Sequence, residues 1–382
     1  MPAGEVMQRA RAQFPLLAEC CYLNSNSTGA VPAGVEAVLA EYARTLFHWR
    51  DAVWEGWWRD VHAYADELAA FIGAPPGSVV TDCSLSSLLG RLGTSLDWRG
   101  ERRRVLTTDL EFPTTPFIWK AFARWGAELV VVPVAGAARP EELLTAAIDE
   151  RTRLVCVSHA AFATGTLLDV RALARRAHAH GALLAVDAYQ SVGCVPVDVA
   201  ELDVDFLLAG AHKWLCGSIE SGFLYVRPQL AAELEPVATG WMASEDPLSF
   251  GPALGFARGA RRFASGTPQV LPALISRVGL AILAGIGVPA IRAHSLRLTR
   301  RVLARADEAG LEVVTPREPA RRGGVVALRF PGDAAVATEL VRRNFVCSYR
   351  GALRVAPHFY NTDEEVDRFM DELGTLARAA AR

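Results

Sequence analysis

Short apolar runs alternating with helix-like segments from about Val79 to Val226 predict an α/β fold with a mostly parallel central sheet. Several of those runs are apolar at every position, as strands covered on both faces must be. After Gly266 the texture changes to long helical segments, so a second, smaller α+β unit is expected at the C-terminal end. A chain of 382 residues exceeds the usual size of one domain, which agrees with two. The expected division is an N-terminal arm at 1–48 that joins the smaller domain, a large domain at 49–268, and linking helices with the small C-terminal domain at 269–382.

In the large domain the expected strands are Arg104 to Leu106, Glu128 to Val132, Leu154 to Ser158, Leu183 to Asp187, Phe206 to Ala209 and Gly222 to Val226. Helical spacing marks Pro113 to Trp125, Pro140 to Ala147 and Val170 to His180, the last two at proline or aspartate start signals. These segments supply the layers that cover the sheet. Beyond Gly266, helices are expected at Val270 to Ala284 and Val288 to Ala309. Turns follow at Ala320 to Gly324 and Phe330 to Gly332, then a strand at Gly351 to Ala356 and a terminal helix at Thr362 to Ala380.

The 40 basic and 42 acidic residues nearly cancel, which leaves no electrostatic footprint for nucleic acid or an anionic membrane and favours a small-molecule partner. Seven cysteines (Cys20, Cys21, Cys83, Cys156, Cys194, Cys216 and Cys347) show neither CxxC spacing nor a neighbouring His-x-His pattern. Reduced, buried thiols and no metal site are expected. The N-terminal MPAGEVMQRARAQFPLL lacks the apolar core of a secretory signal. No apolar stretch reaches the roughly 18–20 residues that cross a bilayer. A cytosolic protein is the expectation.

Only two lysines occur, Lys120 and Lys213, while arginine supplies the remaining positive charge. Lys120, in FIWKAF, reads as a snorkelling surface residue of a helix. Lys213, in LLAGAHKWLCGSIESGFLYV, lies between one strand end and the next strand, where α/β sites form. An amine there, buried beside Trp214, would have the lowered pKa that attack on an aldehyde requires. One strand earlier, LLAVDAYQSVG places Asp187 at the end of an apolar run, where a buried carboxylate needs a cationic partner. A protonated pyridine nitrogen is such a partner, and a helix cap or structural salt bridge is the competing account.

These and other strings, taken in order, are YLNSNSTGAVP, TDCSLSSLLG, LEFPTTPFIW, VSHAAFATGTLLDV, VDAYQSVG, AHKWLCG, ASGTP and LRVAPHFYNTDEEVDRF. In their number and order the chain resembles the class V aminotransferases, fold-type I enzymes of pyridoxal 5'-phosphate that include cysteine desulfurases, kynureninases, isopenicillin N epimerase-like proteins and carbon-sulfur lyases. The resemblance implies that Lys213 forms the Schiff base with the cofactor and is the catalytic residue. It makes Asp187 the partner of the pyridine nitrogen, Gln190 a contact of the phenolic oxygen, and Phe112 a ring stacked on the pyridine face, where core packing is the alternative.

Phosphate is expected at Cys83 and Ser84, where a turn after a short strand opens a helix whose free N–H groups favour an anion, although Ser84 also reads as a plain N-cap. By resemblance His212 reaches the phosphate too. Thr267, in SGTP, matches the threonine that the neighbouring protomer donates to it, which implies a homodimer. Arg354 matches the arginine that pairs with an amino-acid substrate's α-carboxylate, a role suited to a guanidinium's bidentate geometry. Asn24 and Ser27 resemble the segment that lines the substrate entrance, with a turn and helix cap as the competing view.

The reaction is less plainly written. The nucleophilic His-Cys stretch of desulfurases is missing, and Cys347 falls in an apparent strand. Kynureninase-like strings are present, but Ala161 stands where that frame has asparagine, and Tyr189-Gln190 stand where it has Ala-His. HKWLCG is more similar to epimerase-like and carbon-sulfur lyase members, several of which tailor natural products, lincosamide-pathway enzymes among them. The leading expectation is β-elimination from a cysteine S-conjugate. Transamination or oxidative deamination, epimerisation at Cα, and a non-catalytic binding module are the alternatives. The aromatic segment from Phe47 to Trp58 reads either as helix packing or as a wall for a bulky substrate.

Overall fold

Burial on both faces explains why the central strands are apolar throughout. A computed structural model describes residues 3–251 and 255–381. Its larger sheet has seven strands: β1 (Val79–Asp82), β2 (Arg104–Thr108), β3 (Glu128–Val132), β4 (Thr152–Ser158), β5 (Leu183–Asp187), β6 (Phe206–Gly210) and β7 (Gly222–Val226). They lie in the order β1-β7-β6-β5-β4-β2-β3. Neighbours from β6 to β3 are parallel, and β7 runs against both β1 and β6. The fold is thus a mixed α/β architecture on a mostly parallel sheet.

Side chains alternate between two cores. Val155, Val157, Leu184, Val186 and Leu207 face the helices Val53–Phe71, Val170–Ala179 and Val270–Ile286. Leu154, Cys156, Ala185, Phe206 and Leu208 face the helices Leu85–Thr94 and Thr114–Ala121. This period of two is the pleat of the strands expressed as packing.

A second, antiparallel sheet joins Ser348–Tyr349, Leu353–Val355, Val326–Arg329 and Glu312–Val313 in that order. It is covered by Val288–Glu308, Asp333–Arg342 and the terminal helix Asp363–Ala380, around a third apolar core. Thr362 and Glu365 start the terminal helix with a reciprocal capping box. Near the other end of the chain, Cys21–Tyr22 pairs in parallel with Phe345–Val346, and Asn24 bridges to Ala356.

The expected elements are present, with shifted edges. The strand from Arg104 runs on to Thr108, because Thr107 and Thr108 pair with Val131 and Val132 although they read as polar. The predicted helix Pro113 to Trp125 instead divides into Thr114–Ala121 and a 3-10 turn, Phe122–Trp125, closed by left-handed Gly126. Cys347 lies buried in the link between two short strands rather than within one. The tryptophans pack on one another: Trp54 stacks on Trp58 at 5.0 Å and Trp57 on Tyr42 at 5.2 Å. No single helix among the described residues is long and apolar enough to cross a membrane.

Two glycines of helix Val270–Ile286 separate packing from propensity. A Cβ on Gly279 would lie 2.4 Å from the Leu215 carbonyl oxygen and 2.6 Å from that of Cys216, whereas Gly285 faces open space. Gly285→Ala should raise stability by up to about 1 kcal/mol. Gly279→Ala should lower it by about 1–3 kcal/mol through overpacking. Urea unfolding of both variants checks this, and equal effects would contradict the packing.

Candidate active site

Lys213 follows β6 in the connection to β7, which runs from Ala211 to Ser221. Gly29 donates its N–H to the His212 carbonyl at 2.7 Å. A Cβ at Gly29 would sit 2.1 Å from the Lys213 carbonyl oxygen, so only glycine allows this approach. Among the described residues the Lys213 amine makes no ion pair or hydrogen bond; Nζ lies 4.4 Å from the centre of the Tyr189 ring and 5.6 Å from that of Phe112. Burial pushes its pKa down to about 8, with the Asp187 charge opposing the shift and Arg354 adding to it.

Asp187 closes β5, opposite Ser158 on one side and Leu208 on the other. Its Oδ1 accepts the Tyr189 N–H at 2.9 Å. Burial pushes its pKa up to about 6, against the pull of that hydrogen bond and of Lys213. Beside it Glu111 is also buried, accepting from Thr108 Oγ1 at 2.7 Å and from Ser158 N–H and Oγ at 2.7 and 2.6 Å. Burial lifts the Glu111 carboxyl to about 7, which those hydrogen bonds oppose and the Asp187 charge assists.

The cavity around Lys213 and Asp187 has a volume of about 320 Å³. It meets the start of helix Leu85–Thr94 through Ser84, Leu85 and Ser86. Ser84 caps that helix by accepting the Ser87 N–H at 3.1 Å, so its two expected roles fall on one residue. Asp82 fixes the turn, accepting from Cys83 N–H at 2.6 Å and Ser87 Oγ at 2.8 Å and pairing with Arg91 at 2.7 Å. Cys83 itself is exposed and does not line the cavity. His212 lines it, with Nδ1 3.0 Å from the Tyr189 hydroxyl. Burial, helped by Lys213, pushes the His212 pKa down to about 4, so its imidazole is neutral.

Arg354, Arg350 and Phe162 also line the cavity. Arg354 is 3% exposed, donates from Nη1 to the Phe162 carbonyl at 2.8 Å, and has no partner for Nε. Phe112 meets Phe162 edge to face at 5.3 Å. Ser27 lines the wall, but Asn24 does not; its neighbour Asn26 does. Gln190 is in the wall with its amide engaged at both ends, donating to the Asn26 carbonyl at 2.9 Å and accepting from Trp214 Nε1 at 3.0 Å. The second hydrogen of its amide nitrogen is left for another acceptor. Thr267 is exposed on a loop and does not reach the cavity of its own chain.

Sequence reasoning singled out neither Tyr189 as the ring beneath the amine nor Glu111, Asn26, Ser158 and Arg350. Glu111 carried one signal, an acid between an apolar strand and an aromatic residue. Cys347 lines no part of the cavity, and burial pushes its thiol up to about 12. A larger groove of about 1400 Å³ lies between helices Val35–Phe47, Val53–Phe71 and Val270–Ile286. Its central cation, Arg277, is neutralised by Glu67 and Asp60, so it offers no comparable set of reactive groups.

The residues present fit pyridoxal phosphate. An unpaired amine with a lowered pKa suits its aldehyde, a buried carboxyl without a protein cation suits its pyridine nitrogen, and free N–H groups at a ten-residue helix suit its phosphate.

Comparison with known proteins agrees. The family model for aminotransferase class V matches residues 22–369. The chain is 33% identical over 371 residues to an uncharacterized aminotransferase, YcbU, of Bacillus subtilis, covering 96% of this chain and 97% of that protein. It is 31% identical to isopenicillin N epimerase of Streptomyces clavuligerus, covering 81% and 83% of the two chains. Among solved structures, the cystine C-S lyase C-DES, in complex with its product cysteine persulfide, superposes with a TM-score of 0.87 at 22% identity, covering 95% of this chain and 99% of that one. The chain therefore belongs to the class V aminotransferase family, and it is a pyridoxal phosphate-dependent enzyme of fold-type I.

Proposed function

We propose that the enzyme cleaves cysteine S-conjugates by β-elimination, R–S–CH2–CH(NH2)–COOH and water giving a thiol, pyruvate and ammonia, in the tailoring of a natural product. The observation that carries this reading is a lysine amine free to move a proton in a cavity that no thiol lines. A protein cysteine that takes sulfur from the substrate has no place there, since Cys347 is buried and its thiol is held protonated.

Bound pyridoxal phosphate supplies the electron sink for negative charge developing at Cα. Lys213 would hold its aldehyde, Asp187 its ring nitrogen, Phe112 a ring face and Gln190 its phenolic oxygen. Ser84 and the following N–H groups, with His212 beside them, would hold its phosphate, and Cys83 would contribute only through the turn it shares with Ser84. Arg354 anchors the α-carboxylate, with Ser27 at the entrance on the segment that Asn24 ties to Ala356. Lys213 Nζ takes the Cα proton, and that proton is then available to the departing sulfur. The alternatives use the same lysine differently: an aminotransferase or oxidative deaminase gives the intact keto acid, and an epimerase returns the proton to the other face. A binding module would turn over nothing.

The catalytic unit proposed is a cytosolic homodimer in which Thr267 completes the neighbouring protomer's phosphate site. Its exposure on a loop outside its own cavity supports this. Thr267→Ala should then weaken cofactor retention on dialysis without changing the dimeric mass in sedimentation; a monomeric native protein would overturn the arrangement.

With S-alkyl cysteines, thiol and pyruvate should appear in equal amounts, and Lys213→Ala should lose both together with the visible absorbance of the bound cofactor. An intact keto acid or a racemised substrate without thiol would sink the elimination reading. The pH dependence has a definite sign. Lowering the Lys213 pKa from 10.5 to about 8 increases the neutral amine near neutrality. Cofactor loading of the free protein, followed by absorbance, should therefore rise about tenfold per pH unit below about 8 and level off above it. A rise continuing towards pH 10 would contradict the burial effect.

A further inference from the structure

The cavity holds one more cation than an α-carboxylate needs. Among the described residues Asp187 is its one acidic lining residue, whereas Arg350 and Arg354 both line it and feel each other's charge. Arg350 is at the tip of the hairpin between Ser348–Tyr349 and Leu353–Val355. The tip is closed by its own N–H to the Ala352 carbonyl at 3.1 Å and by left-handed Gly351. Its guanidinium donates from Nη1 to the Tyr349 carbonyl at 2.7 Å and makes no ion pair. Burial lowers the Arg354 pKa to about 10, with the Arg350 charge adding to the shift and Cys347 opposing it, and no carboxylate is among the causes. The buried Arg354 charge thus has a second cation rather than a carboxylate for a neighbour, and a ligand that brings two negative charges answers both.

We propose that the substrate is dianionic: an α-amino acid whose side chain or sulfur-linked group ends in a carboxylate, with Arg354 taking the α-carboxylate and Arg350 the distal one. The aromatic edges of Phe112 and Phe162 give the intervening carbons an apolar wall. Arg350 is exposed, so it reads the far end of the substrate rather than the reacting atoms. The proposal rests on the cysteine-conjugate reading of the site, and it adds the charge of the group that leaves.

The test uses the cofactor-loaded enzyme with two near-isosteric ligands, S-(2-carboxyethyl)-L-cysteine and S-(2-carbamoylethyl)-L-cysteine. Binding is read from the change in cofactor absorbance, and turnover separately from released thiol. The carboxylate ligand should bind roughly tenfold more tightly than the amide, the worth of one charge-assisted hydrogen bond at a partly open site. R350Q should bring that ratio close to one, and R350K should keep part of it. A ratio near one in the native enzyme, or an unaltered ratio in R350Q, overturns the proposal. Discrimination in binding with no thiol released leaves the dianion preference standing and overturns the elimination reading instead.

Discussion

A buried ammonium is costly unless it is paired, and Lys213 is buried with neither an ion pair nor a hydrogen bond. The chain places it there by force of sheet geometry. β6 ends at Gly210, the connection to β7 runs from Ala211 to Ser221, and Gly29 closes on the Lys213 carbonyl so tightly that no side chain would fit. The amine answers by losing its proton more readily, which is the property a reagent for aldehydes and for Cα protons must have.

The carboxylates beside it are arranged in the opposite sense. Asp187 and Glu111 are both pushed upward by burial, yet they end in different states of repair. Glu111 is held by three short hydrogen bonds from Thr108 and Ser158, while the Asp187 side chain accepts one and has capacity for a cationic ligand. Ser158 lies opposite Asp187 in the sheet, so the satisfied acid fixes the strand end beside the unsatisfied one. Parallel pairing makes this possible because it brings the ends of β4 and β5 level.

Much of this was legible in the sequence because burial writes itself in composition. Continuous apolar strands gave away the sheet, and scarcity gave away Lys213, since one of the two lysines had to be explained by something other than the surface. Asp187 stood out as an acid ending an apolar run. What the sequence did not disclose depends on direction rather than on burial. Asn24 and Asn26 are equivalent in NSNSTG until a bridge to Ala356 occupies the first and leaves the second in the wall. Cys83 and Ser84 likewise part company only when Asp82 pins the turn. Arg350 is one of many arginines until a hairpin aims it. Thr267 belongs to a surface that one chain does not complete.

The short N-terminal strand has a mechanical meaning. Leu23 hydrogen bonds to Val346 and Ala356, on the side of the smaller sheet, and a few residues later Asn26 and Gly29 are bonded to Gln190 and His212, on the side of the larger one. The segment is a tie rod between the C-terminal part of the chain and the connection that carries Lys213. A rotation of the C-terminal sheet that kept those bonds would therefore pull on the backbone one residue before the amine.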